Sequence, residues 1–349
     1  PGAPGNRFAL RGAKPQQFQP GGQAGGADTL LTVNGSLVYF AVHANDVYAW
    51  FNTAVTNGVI SANAPFPTTQ AELTAILNYA SSNGDNLPDG NALTLELKTA
   101  WVDAATVADP SDYITTVAAV PRYVKTSSTL WTIDPAQPSE VKTLALVGMH
   151  VVGPVKGHPE MVWATFEHRD NAPDNEFYFN SLFGQNVQVP YNSTGDWQFM
   201  QSGGSRDGAL VAQMTVASNG NLQATKGNSI QQNNVYRVNP WGNAPTQASA
   251  DNNSQLISLN FDIGLMLGLV KDVRANYFQV GAVWTKDGSI PSSGTDPQLA
   301  GSLLLANSTM ETYHQNSPPG CFGCHSSDTS TGTSHLFSTS NTPLVPKTR

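Results

Sequence analysis

Apolar residues recur with the short periods of folded elements from Leu30 onward, whereas residues 1–28 show no hydrophobic period. Residues 37–42 (LVYFAV) predict a strand, and residues 44–58 (ANDVYAWFNTAVTNG) predict a helix with Asn45 or Asp46 as its cap and Gly58 past its end. A second helix is signalled at residues 68–82, where Thr69 and Glu72 have capping-box spacing and Leu73, Ile76, Leu77 and Ala80 form one stripe. Strand patterns follow in ALTLELKTAWV (92–102), YVKTSSTLWTI (123–133), KTLALVGMHVV (142–152), MVWATFEH (161–168) and ALVAQMTV (209–216). Residues 218–254 read as loops over that sheet. Helical character returns at residues 254–273 and again at 296–315. The expected fold is mainly β with several flanking helices, an α+β arrangement: an antiparallel sheet body followed by a C-terminal segment that carries the chain's only cysteines.

Residues 1–28 are crowded with Gly, Pro and Gln and offer little burial to offset their ordering entropy. They are expected to be a flexible arm, a tether or a segment that orders only against the body or, in self-association, against a neighbour, with residues 29–349 forming one domain. Charged residues are only 12% of the chain, as in many exported proteins. The net charge of −8 excludes the basic patch that nucleic acid or an anionic membrane requires and suits a cationic partner protein. No run approaches the roughly 20 apolar residues of a membrane span. In GDNLPDGN (84–91), Asp85, Asn86 and Asp89 lack EF-hand spacing, so a plain turn is expected there rather than a calcium loop.

The chemistry is concentrated in GCFGCH, residues 320–325. Cys321, Cys324 and His325 form a C-x-x-C-H sequence, the attachment signature of c-type haem. Two thiols add across the two haem vinyl groups, and the next residue gives its imidazole to iron, so one short turn supplies both anchors and one axial ligand. Three readings compete. A C-x-x-C redox pair would want a thioredoxin-like βαβ pattern around it, structural zinc would want about four ligands where three are local, and a disulfide here would close too small a loop to stabilise much. One covalent haem c fits best, and it implies a periplasmic or cell-surface location. Residues 1–28 are expected to be dispensable for haem binding.

Three segments, LPDGNALTLELKTAWV (87–102), LVGMHVVGPVKGHPEMVWATFEHRDNAPD (146–174) and LLLANSTMETYHQNSPPGCFGCH (303–325), resemble exported bacterial monohaem proteins of the cytochrome c family. That resemblance implies a covalent haem near the C-terminus and implies no substrate. A C-x-x-C-H motif after a mostly β body, followed by SHLFS (334–338), is similar in placement to the β-type cytochromes c′, whose distal face is open or apolar.

Around the motif, a helix over 296–315 would put Leu299, Leu303, Ala306, Met310 and His314 on one face, and Met310 or His314 at the haem edge. A hairpin turning within residues 153–160 would set His150 opposite Trp163 and place Leu146, Gly148, His150, Trp163, Thr165 and Glu167 on one face. His150 and Met310 are thus the candidate sixth ligands, and His150 or Glu167 the candidate acid–base group, the two otherwise being bonded to each other for structure alone. His158 and His168 are expected to be exposed, His43 to have a core or surface role, and His335 to be a further possible ligand. The functions in play are an electron-transfer cytochrome, a haem protein with an open distal site that binds or turns over a small molecule, and a surface-assembly haem protein.

Overall fold

The computed structural model describes residues 17–184, 186–225, 227–242, 246, 249–316, 320–339 and 344. In chain order the early elements are β1 (Tyr39–Ala44), α1 (Asp46–Thr56), α2 (Gln70–Ser82), β2 (Glu96–Asp103), β3 (Thr115–Pro121), β4 (Tyr123–Lys125) and β5 (Leu130–Ile133). The long hairpin β6 (Ser139–Val155) and β7 (His158–His168) follows, then β8 (Phe177–Asn180), β9 (Asn186–Val189), β10 (Met214–Val216) and β11 (Leu222–Ala224). The last third holds α3 (Ala250–Leu269), β12 (Tyr277–Thr285), β13 (Leu299–Gly301), α4 (Cys321–Cys324) and α5 (His335–Thr339). With thirteen strands and five α-helices among the described residues, the fold is α+β and mainly antiparallel sheet.

Seven strands make the central sheet in the order β1-β2-β6-β7-β12-β13, with β3 pairing along the first half of β6. β6 serves two neighbours on one edge because it is 17 residues long. α1 and α2 pack on one face of this sheet through Tyr48, Phe51, Leu73 and Ile76, against Val152, Trp163 and Val283. On the other face, Tyr39, Trp101 and Leu146 pack with Trp131 and Leu222 of the four-stranded sheet β10-β11-β5-β4. The caps form as the side chains dictate: Asn45 accepts from the Tyr48 N–H at 2.9 Å, and the Glu72 carboxylate accepts from the N–H groups of Thr68 and Thr69.

The β6–β7 hairpin carries His150 opposite Thr165 and Val152 opposite Trp163, two residues out of the expected register. The cause is an irregularity between Gly153 and Val155, across from which Met161 takes φ +71°. An offset of two preserves parity, so Gly148, His150, Trp163, Thr165 and Glu167 remain together on one side of the hairpin. Leu146, expected on the same face, is turned to the other by the register shift between Ala100 and Trp101 and packs with Trp101 and Tyr39. A closer fit is imposed at Gly148, where an added Cβ would lie 2.3 Å from Thr309 Oγ1 and 2.9 Å from Asn307 Oδ1. Gly148→Ala is expected to cost about 1–3 kcal/mol, read as a lower urea midpoint, because the loop over residues 307–309 must move off the sheet.

Three expectations are corrected. Residues 296–315 do not form a helix: Asp296 and Pro297 precede a short strand, Gly301 takes φ +87°, and Asn307 Oδ1 accepts from the N–H and Oγ1 of Thr309. Local side-chain bonds to the backbone compete with the helix there. His168 is fully buried rather than exposed, stacked at 3.8 Å on Tyr113. The arm is a packing element from residue 17 onward: Gln19 pairs with Phe40, Phe18 is 2% exposed against Trp101, and Gln23 donates to the Thr309 carbonyl and accepts from the Thr312 N–H. One buried aromatic and a few strand-edge bonds suffice without any hydrophobic period. The rest of the arm, residues 1–16, lies outside the described residues.

Candidate haem site

The turn that carries the cysteines is set by its flanks. Gly320 has φ +59°, and a Cβ there would lie 2.5 Å from the Leu303 carbonyl, so only glycine delivers the chain into α4. α4 is a single turn closed by the His325 N–H on the Cys321 carbonyl at 3.0 Å. Phe322, 1% exposed, anchors it edge-on to Trp163 at 5.9 Å. Cys321 is half-buried and Cys324 exposed, and both thiols are free. Burial, and then the Glu311 charge, push the Cys321 thiol well above its ordinary range.

His325 lies tilted on Trp163, ring centroids 4.2 Å apart, and stacks on His335 at 4.0 Å. Its Nδ1 sits 2.9 Å from the carbonyl of Thr333. A carbonyl only accepts, so Nδ1 carries the proton and Nε2 keeps its lone pair. Burial, and then the nearby His335, push the imidazole down to about 4, so it is neutral at pH 7.

The sheet forms the facing wall. Val42, Lys98 and His150 are neighbours across β1, β2 and β6, with Glu96, Val152 and Trp163 in the adjacent row. His150 Nε2 donates to Glu311 at 2.9 Å, and Lys98 Nζ lies 3.9 Å from the same carboxylate. Burial alone would raise the Glu311 carboxyl, but His150, Lys98 and the Asn307 N–H outweigh it and hold the group down to about 2. Glu96, raised by burial, accepts from Ser334, whose hydroxyl also meets Tyr48 Oη at 2.7 Å. Between these walls is a largely apolar cavity of about 360 Å³ that touches Cys321, Cys324, His325, His150 and Trp163.

The site fits haem. Two thiols one turn apart and an imidazole with an open Nε2 border a single apolar cavity. The buried indole N–H of Trp163, in the wall, has no acceptor among the described residues. Among the described residues no group of three or more His, Cys, Asp or Glu side chains is arranged to hold a bare metal ion. In the GDNLPDGN turn, the Asp85 carboxylate accepts from the Trp50 indole at 3.0 Å.

No protein-family model, curated protein or solved structure matches this chain.

Met310 is fully buried with Leu30, Val38, Phe40 and Val102, outside the cavity, and this corrects its assignment as a candidate ligand or edge contact. Neither does His314 reach the cavity; it is exposed. Glu167 is bound by the Arg237 guanidinium at 2.9 Å and by the N–H and hydroxyl of Ser308, so it is not the partner of His150. Glu311 takes that place. His158 is half-buried on Glu160, and His43 bonds Thr99 at 3.1 Å. The residues that pattern reading missed, Glu96 and Lys98, left a signal in the sequence. LELKT places two charged residues at the inward positions of a strand otherwise flanked by apolar runs.

Proposed function

We propose that the chain is an exported monohaem c-type cytochrome that transfers single electrons, working at the periplasmic or cell-surface side with a cationic redox partner. The observation that carries the reading is the His325 Nδ1–Thr333 carbonyl bond inside a C-x-x-C-H turn, which leaves Nε2 as a ready axial ligand on an apolar cavity. Cys321 and Cys324 would hold the group covalently, and His325 would be its axial ligand. Haem supplies a one-electron iron couple when bound. The protein's share is to orient His325 through Thr333 and Trp163, to exclude water with Val42, Val152, Leu305 and Leu336, and to keep a proton on His150 Nε2 with Glu311.

A second reading, a haem protein that takes a small exogenous ligand, is favoured by one observation. Met310 lies outside the cavity, and His150 commits its Nε2 to Glu311, so His150 is placed to donate to a bound molecule rather than to ligate through Nε2. Absorption spectra with and without carbon monoxide separate the two. Under the carrier reading the ferrous protein is low-spin and leaves carbon monoxide unbound; under the second it binds it, and His150→Ala alters the carbonmonoxy spectrum. Met310→Ala is expected to leave every haem band in place. Loss of a sulfur–iron band in that variant would overturn the placement of Met310.

A further inference from the structure

α3 leaves the body as an apolar helix. Its first turns are tied down, Asn253 donating to the Tyr178 carbonyl and Ser254 Oγ accepting from the Asn180 N–H, and Asn260 binds the backbone of Gln279. Beyond that, the solvent side carries Leu259, Ile263, Met266 and Val270, which with Leu256 repeat at alternating spacings of three and four residues, an a/d heptad seam. Leu269 (77% exposed) flanks it. Beside the tied end, Asn180 begins the β8–β9 turn, whose tip presents Leu182 at 102% and Phe183 at 90% exposure. Together these side chains expose on the order of 1,000 Å² of apolar surface, above the few hundred of a typical monomer and near the roughly 800 Å² per partner of a stable interface.

We propose that α3 and the β8–β9 tip form a two-fold interface with a second copy of this chain, the two α3 helices packing antiparallel about an axis near Gly264 and Leu265. In that register Ile263 faces the partner's Met266 and Leu259 faces the partner's Val270, each a position meeting a d. The seam is self-complementary, as a two-fold contact requires. Antiparallel packing also opposes the two helix dipoles favourably and directs each free C-terminal half toward the other copy's hairpin tip. A lipid surface is the poorer occupant: α3 carries no basic residue, and the protein is net acidic. The proposal is independent of the haem reading.

Sedimentation of the full chain tests it, from about 1 to 100 µM, a range matched to interfaces of this size. The parent is expected to be a dimer, and Ile263→Glu combined with Met266→Glu is expected to weaken association at least about 100-fold. Both substitutions fall on exposed positions, and an unchanged circular dichroism spectrum confirms that the variant folds. Phe183→Ser should weaken the dimer less. A parent that stays monomeric at the highest concentration, or a double variant that dimerises as well as the parent, overturns the proposal. A monomeric parent that sediments with phosphatidylcholine vesicles, and loses this in the double variant, overturns it in favour of a membrane surface.

Discussion

A chain carrying both Cys321→Ala and Cys324→Ala is expected to lose all haem stain that survives denaturation, against one equivalent per chain for the parent. Both thiols of the molecule are spent on one turn, so no other residue can form a thioether bond. The fold should persist, because the turn is held by Phe322 in the core and by the His325 N–H on Cys321, neither of which needs a sulfur atom. Cys324→Ala alone keeps the half-buried Cys321 and should retain one covalent link, with altered bands. Stain that survives the double change would sink the haem assignment, and metal-dependent protection of the parent's thiols from alkylation would point to the zinc reading instead.

Arg237→Ala is expected to cost about 3–5 kcal/mol, measured as a fall in the urea midpoint at unchanged slope. The guanidinium is buried between Glu167 and Asp174, with its face on the Phe278 ring at 4.8 Å. Removing it leaves the fully buried Glu167 carboxylate with only Ser308 for company, an uncompensated charge. Pairing the change with Glu167→Gln should restore part of the loss. Arg206→Ala, which breaks the more exposed pair with Glu176, is expected to cost less than about 1 kcal/mol. If the two arginines cost the same, burial is not what makes Arg237 matter.

What could be read from the chain in advance follows from where the determinants lie. The capping box of α2 and the shared face of His150, Trp163 and Thr165 are local facts of spacing and parity, and both stand in the structure. The exact register is not local, because it depends on a bulge in which Met161 adopts a left-handed backbone, and no residue type announces that. The helix expected over 296–315 failed for a related reason. Its apolar spacing is real, yet Asn307, Ser308 and Thr309 bond to nearby backbone and to Glu167, a partner some 141 positions away. For the site, the C-x-x-C-H turn carries its own chemistry in five residues. The pairing of His150 with Glu311, at a separation of 161, depends on a loop crossing the sheet and is invisible to pattern reading. The same holds for the arm, whose contact through Gln23 reaches residues 309 and 312.

The wall that carries Ser330, Ser334 and Phe337 closes over aromatic residues made long before it. Tyr48 meets Ser334 across 286 positions, Phe66 meets Ser330 across 264, and Phe337 packs on Tyr48, Phe51 and Phe66. A chain synthesised at roughly 5–20 residues per second exposes that aromatic cluster for about 15 to 55 s before its cover exists. The nascent protein thus spends most of its synthesis with that cluster lacking its C-terminal cover, and a holding chaperone has more to do for this molecule than for one whose core is assembled from neighbours in the chain.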